Sequence, residues 1–191
     1  MSAPVVIVLA SGRGARFTAS GGASPKLQAQ LAGKTVLQHT LDAVQASGLP
    51  CYLQDSGQPG MGDSIAAAVR ATWQSDPQCS GWLILPADLP LIQSTTLCAV
   101  AAGLRDHEVV QPVYRGQCGH PVGFSATCGQ ALMKLKGDKG AVSVVQANAA
   151  LALIVDDVGC VTDIDTVADL RAAERLLRRS LSPERIVVLN A

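Results

Sequence analysis

A chain of 191 residues has the length of one ordinary domain, and no stretch of it reads as a linker between two. Hydrophobic residues make up 48% and charged residues 16%, enough apolar side chain for a sizeable core, which excludes a disordered protein. Fifteen basic and fifteen acidic residues cancel, and two each of Trp, Tyr and Phe leave few stacking platforms; general attraction to nucleic acid or an anionic membrane is excluded.

In chain order, Pro4 to Leu9 is a Val/Ile-rich run with the pattern of a strand buried on both faces of a parallel sheet. A Gly-rich loop is predicted from Ala10 to about Lys26. Thr35-x-x-Gln38 has the form of a capping box, and Val36, Leu37, Thr40, Leu41 and Val44 recur at helical spacing up to Gly48, a suitable C′ residue. Pro50 to Gln54 reads as a second strand, Gly57 to Gly62 as a turn and Ser64 to Gln74 as an Ala-rich helix. Trp82 to Leu85 is a third apolar strand, ending in Pro86-Ala87-Asp88, and Ser94 to Leu104 is a helix. Such alternation implies a parallel sheet with helices on its faces. Glu108 to Tyr114 and Pro121 to Ser125 then flank Arg115-Gly116-Gln117-Cys118-Gly119 like the arms of a long hairpin, so an antiparallel insertion or edge is expected. Short helices are predicted over Thr127 to Leu135 and Ala141 to Ala147, and a strand over Leu151 to Val155. After Asp163-Ile164-Asp165, the cap Thr166-x-x-Asp169 opens a helix to about Arg179. Ile186 to Leu189, in the tail 180–191, reads as a small strand or a surface segment. The expected class is α/β, a three-layer α/β/α Rossmann-like, mainly parallel sheet in a single domain over 1–191.

Cys51, Cys79, Cys98, Cys118, Cys128 and Cys160 show no CxxC spacing and read as buried free thiols in a reducing compartment. The opening apolar run is too short for a membrane span, and no basic segment precedes it as in a signal peptide. A cytoplasmic protein is expected.

The strongest local signal is Leu9-Ala10-Ser11-Gly12-Arg13-Gly14-Ala15-Arg16-Phe17, a glycine-rich turn leaving the first strand and carrying two arginines. Glycines let backbone N–H groups approach an anion, and arginine adds planar charge-assisted bonds to phosphate, so a phosphate-rich ligand fits; an exposed flexible loop is the plain alternative. A dinucleotide-binding Gly-x-Gly-x-x-Gly beginning at Gly12 fails because Phe17 stands at its last position. Gly57 to Ser64 has Walker A spacing, but Asp63 stands where the lysine must be, which excludes an ordinary P-loop NTPase. Asp88 falls just beyond the carboxyl end of a buried strand, where open α/β sheets present ligands, and can hold Mg²⁺ while phosphates and water complete its shell. Asp163 and Asp165 would share a face if a strand continued that far. Each aspartate alone also reads as a cap or turn former. His39 and His107 read as surface or packing residues, His120 as a donor to an acceptor oxygen or a brace of its turn, and Cys118 as a buried thiol.

Taken in order, Leu9 to Arg16, Ser24-Pro25-Lys26-Leu27, Gly60-Met61-Gly62-Asp63-Ser64-Ile65, Pro86-Ala87-Asp88-Leu89-Pro90, Gly119-His120-Pro121-Val122, Gly137-Asp138-Lys139-Gly140-Ala141 and Asp163-Ile164-Asp165-Thr166 resemble the MobA-like NTP transferase family, most closely its molybdenum cofactor cytidylyltransferase branch. The resemblance extends to about Leu177. It implies transfer of a nucleoside monophosphate from an NTP, CTP before GTP, to a phosphorylated acceptor, molybdopterin foremost, with release of pyrophosphate. Under it Leu9, Ala10, Ser11, Gly12, Gly14, Lys26, Gly60, Met61, Gly62 and Ser64 bind the nucleotide, and Arg16, Lys26 and Asp88 are catalytic. Asp88 and Asp165 hold Mg²⁺, while Gly119, His120, Pro121 and Asp138 face the acceptor. A molybdoenzyme partner is implied as well.

Three departures from the family qualify what carries over. Eleven residues separate Gly48 from Gly60, about one strand and helix fewer than the family commonly has. Ser11 stands where cytidylyl members usually carry alanine and guanylyl members glycine, which disfavours a purine. Val142 stands where the family often has arginine. Guanylyl transfer, sugar or polyol phosphate acceptors, and a non-catalytic carrier of nucleotide or pterin are the competing readings.

Overall fold

Val5 and Ile7 face one apolar layer while Val6 and Val8 face the other, and this period-two alternation organises the molecule. The computed structural model describes residues 2–12 and 14–181. Strand β1 (Val5–Leu9) leads into a short helix α1 (Ala15–Ala19), a 3-10 turn (Lys26–Gln28) and a two-stranded ribbon of β2 (Gln30–Leu31) and β3 (Lys34–Thr35). Helix α2 (Val36–Ser47), strand β4 (Cys51–Gln54), helix α3 (Met61–Ser75), strand β5 (Gly81–Pro86) and helix α4 (Ser94–Gly103) follow. Then come β6 (Val109–Tyr114), β7 (Gln117–Cys118), β8 (Val122–Ser125), α5 (Gly129–Leu132), α6 (Val142–Gln146), β9 (Leu151–Ile154) and α7 (Val167–Leu181).

The main sheet runs β4-β1-β5-β8-β6, with β9 on the far side of β6 and β7 hairpinned back onto it. The pairs β1/β4, β1/β5 and β6/β9 are parallel; β8 is antiparallel to both β5 and β6. On one face α3, α5 and α6 contribute Ile65, Ala68, Val69, Leu132 and Val144 to a core around Trp82, Ile84 and Phe124. On the other, α2 and α4 contribute Val44, Leu97 and Val100 against Leu83, Leu85 and Val110. This is the expected three-layer, mostly parallel α/β architecture. A third cluster of Phe17, Leu31, Val36, Ile164 and Ala173 joins α1, the ribbon and α7.

Several local expectations are corrected. The loop read from Ala10 to Lys26 contains α1, whose Phe17 is buried in the third cluster. Helix α3 begins at Met61, inside the stretch read as a turn, with Gly60 as its N-cap. The stretch read as the hairpin's connecting loop contains the short strand β7, and Gly119-His120-Pro121 leaves the ladder before β8, where Pro121 has no N–H to donate. Of the two positions expected for the antiparallel segment, insertion or edge, β8 takes the first and lies between β5 and β6. The strand before Asp163 ends at Ile154, and a 3-10 turn (Val158–Val161) intervenes, so the aspartates reach their position on a loop. The helix predicted from Thr127 shortens to α5 behind a 3-10 turn (Ala126–Cys128). All six thiols are free, but only Cys79, Cys128 and Cys160 are buried; Cys51, Cys98 and Cys118 are exposed. The predicted strand over Ile186 to Leu189 lies outside the described residues. No helix among the described residues is long and apolar enough to cross a membrane.

Candidate functional site

Beyond the carboxyl ends of β1 and β5 the described residues form a cleft of about 760 Å³. Loop, helix start and turn each bring one part of it. Leu9, Ser11, Gly12 and Gly14 to Arg16 form one wall, Gln58 to Met61 with Ser64 at the start of α3 another, and Gly119 and His120 a third. Asp88 sits on the turn that continues β5, where the Ala87 amide donates to the Leu9 carbonyl (3.0 Å) and the Thr40 hydroxyl donates to the Ala87 carbonyl (3.0 Å).

Residues far apart in sequence meet on Asp88. The Ile164 amide donates to the Asp88 carbonyl (3.0 Å), which pins the Asp163–Asp165 loop beside it. Lys26 Nζ donates to Asp88 Oδ2 (2.5 Å) and to Asp165 Oδ1 (3.4 Å), and Arg16 pairs with Asp165 Oδ2 (2.5 Å). Gly14 has a positive φ of 58°, and a Cβ there would stand 3.1 Å from Lys26 Cβ, so glycine is what lets the first loop lie against the lysine. The Lys26 and Asp88 side chains are only 12% and 18% exposed, which strengthens their mutual attraction by excluding water. Burial disfavours the Lys26 ammonium, but the Asp88 charge and hydrogen bond, helped by Asp165, outweigh it and raise its pKa. Burial pushes the Asp163 carboxyl up, with the Asp165 and Asp88 charges adding to the effect and Lys26 opposing it.

Asp88 Oδ1 is buried with no hydrogen-bond partner among the described residues, and an anionic oxygen left open in this way is a good ligand for a hard cation. Among the described residues no group of three or more His, Cys, Asp or Glu side chains could hold a metal alone. The carboxylate pair of Asp88 and Asp165 therefore fits a divalent ion that draws its remaining ligands from phosphates and water. The His120 amide donates to the Cys160 carbonyl (2.8 Å), while its ring lines the cleft with Nδ1 buried and without a partner among the described residues. Burial lowers the pKa of this ring, against the opposing Asp88 charge and Ile84 carbonyl, so its neutral form is favoured.

Of the residues singled out from sequence, Leu9, Ser11, Gly12, Gly14, Arg16, Lys26, Gly60, Met61, Ser64, Asp88, Gly119, His120, Asp138 and Asp165 line this one cleft. Ala10, Gly62 and Pro121 do not: Ala10 donates its amide to the Gln54 carbonyl (2.9 Å), Gly62 to the Gly137 carbonyl (2.7 Å), and Pro121 is buried. Cys118, expected to be buried, is exposed at the cleft wall. Gln58, Gln117, Cys160 and Asp163 line the cleft without having been assigned to it. Only Asp163 carried a signal, its spacing from Asp165. His39 donates Nε2–H to the Leu31 carbonyl (2.7 Å), away from the site, as a packing residue.

Residues 43–152, more than half of the chain, match the family model of the MobA-like NTP transferase domain, and the chain belongs to that family. Purine catabolism protein PucB of Bacillus subtilis (strain 168) is 30% identical over 129 residues, a match covering 66% of this chain and 62% of PucB. The chain thus spans about three-fifths of the length of that curated relative. Among solved structures, Rv0371c of Mycobacterium tuberculosis H37Rv superposes with a TM-score of 0.72 at 24% identity, covering 91% of this chain and 99% of the other. Its manganese complex gives 0.72 at 23%, with the same coverage. Molybdopterin-guanine dinucleotide biosynthesis protein A of Archaeoglobus fulgidus gives 0.66 at 16%, covering 92% and 99%. These structural likenesses establish the shared fold.

Proposed function

We propose that the chain is a divalent-cation-dependent nucleotidyltransferase that moves CMP from CTP to the phosphate of molybdopterin and releases pyrophosphate. The observation that carries this reading is the convergence of Arg16, Lys26, Asp88 and Asp165 on one cleft. An oxygen of the acceptor phosphate attacks the α-phosphorus of the nucleotide, and the bond from that phosphorus to the bridging oxygen breaks, pyrophosphate leaving with the electron pair. The reaction brings anions together, so catalysis rests on charge neutralisation and alignment and needs no covalent nucleophile.

Backbone N–H groups of Gly12 and Gly14 bind the triphosphate, and Arg16 and Lys26 turn their cationic groups from the carboxylates to phosphate oxygens. Asp88 and Asp165 hold Mg²⁺, which when bound neutralises phosphate charge. Gly60, Met61 and Ser64 border the base and ribose; Gly119, His120 and Asp138 face the acceptor. The Ser11 and Ser64 hydroxyls share a hydrogen bond (3.0 Å) at the cleft, and the Ser11 side chain narrows the room for a purine, which supports CTP over GTP. The guanine-dinucleotide protein among the structural neighbours keeps guanylyl transfer as the nearest alternative. Val142, exposed where the family often carries arginine, favours a second reading, a carrier that binds nucleotide or pterin for a molybdoenzyme without turnover.

Pyrophosphate release from each NTP, with Mg²⁺ and molybdopterin, tests the assignment. CTP should be the best donor, and Asp88→Ala should lower turnover by about 10²–10³-fold, the usual cost of removing a key electrostatic group. Unchanged turnover in Asp88→Ala would refute the metal assignment; tight pterin binding with no turnover from any NTP would select the carrier.

A further inference from the structure

Asp63 stands where a Walker A loop has its lysine, and the chemistry above leaves it without a role. In the structure its Oδ2 accepts the Gly137 amide (2.8 Å), while the Gly62 amide donates to the Gly137 carbonyl (2.7 Å). Both backbone groups of one loop residue are thus taken by the first turn of α3. Contact is close along this seam. A Cβ at Gly60 would overlap the Gly137 carbonyl and stand 2.8 Å from Asp138 Oδ1, and one at Gly62 would stand 3.0 Å from the Lys136 carbonyl. The same turn faces the first loop: the Ser64 hydroxyl donates to the Gly60 carbonyl (3.1 Å) and pairs with the Ser11 hydroxyl. One helical turn therefore ties the Ser11 loop to the loop carrying Asp138, and both line the cleft.

We propose that Asp63 is a positioning residue that fixes the Gly137–Gly140 loop, and with it Asp138, on the acceptor side of the cleft. The inference rests on the acceptor-facing role given to Asp138 under Proposed function. The Gly-Asp-Lys-Gly segment is exposed over Gly137 to Lys139, and with Gly137 and Gly140 at positive φ (70° and 56°) it has many conformations open to it when unbound. A carboxylate accepting a backbone N–H forms a charge-assisted bond, stronger than a neutral one, and its place in the first turn of α3 also suits the helix dipole. Asp63 does not line the cleft, so its loss acts on the acceptor through the loop and leaves the nucleotide side in place.

The full chain carrying Asp63→Ala, Asp63→Asn or Asp63→Glu is assayed with CTP and molybdopterin, with separate KM values and amide hydrogen exchange over 136–141. Asp63→Ala should raise the molybdopterin KM about tenfold, as expected for one lost charge-assisted bond, with the CTP KM within about twofold and faster exchange at Gly137. Asp63→Asn, whose Oδ1 still accepts, should stay within about threefold of wild type. Asp63→Glu keeps the charge in the helix turn and displaces the accepting oxygen, so a higher molybdopterin KM at unchanged melting temperature separates positioning from helix stability. Molybdopterin KM values within about twofold of wild type in both Ala and Glu variants, or equal rises for CTP and molybdopterin, overturn the inference alone. A wild type that binds CTP and transfers nothing overturns the function proposed above, and this inference falls with it.

Discussion

Lys26 and Asp88 are 62 positions apart and 2.5 Å apart in space, and no sequence spacing announces that pair. What the sequence offers for Asp88 is its place after a buried strand, and for Asp165 its spacing from Asp163; for Lys26 it offers only family resemblance. Asp63 and Asp157 were invisible as site-building residues because their partners lie on distant loops. The thiols show the same limit, since composition cannot say which are covered. Burial, reinforced by the Asp157 charge, pushes the Cys160 thiol up to about 11, whereas Cys98 and Cys118 are exposed. A thiol with that pKa is ionised in only about one molecule in a thousand at pH 8, and the thiolate is the reactive form. Iodoacetamide at pH 8 should therefore label Cys98 and Cys118 in the native protein and reach Cys160 only after unfolding, or as pH approaches 11. Peptide mass spectrometry reads this directly; equal native labelling of Cys118 and Cys160 would contradict the buried placement.

Elements whose start is fixed by neighbours in sequence were legible, and those fixed from elsewhere were not. Helix α2 has the capping box read from Thr35 and Gln38, with Gly48 ending it in the left-handed region, and Thr166 and Asp169 make the corresponding bonds before α7. Helix α4, by contrast, has no side-chain cap from its own N-cap, Gln93. Its first turn is held by Asp157, whose Oδ2 accepts the Gln93 amide (3.0 Å) and the Thr96 hydroxyl (2.6 Å) while Oδ1 accepts the Gly159 amide (2.8 Å). Asp157 is buried, so Asp157→Ala strands three donors and loosens the turn that leads to Asp165. We expect a loss of about 3 kcal/mol in chemical denaturation, with Asp157→Asn costing less because one oxygen still accepts. A loss below about 0.5 kcal/mol would mean that solvent satisfies these groups.

At the scale of the molecule, two apolar layers enclose one sheet, and the proposal that residues 1–191 form a single domain makes a measurable claim. Trp82 is fully buried in one layer, donates Nε1–H to the Thr72 hydroxyl (2.9 Å) and lies 5.6 Å from the Trp73 ring, so tryptophan emission reports on the core itself. Urea unfolding followed by that emission and by far-ultraviolet circular dichroism should give one shared midpoint, whereas separated transitions would divide the chain into independent units. The sequence alone determined the class of fold, the order of the longer strands and helices, and the cleft end of β1 and β5, because hydrophobic periodicity and capping are local signals carried by the linear chain. Tertiary structure alone decided that β8 enters the sheet between β5 and β6, that α4 is capped by Asp157, and that Arg16, Lys26, Asp88 and Asp165 become one charged cluster. Those outcomes depend on contacts between segments far apart in the chain, whose energy exists only once the layers have closed and water has left the space between them.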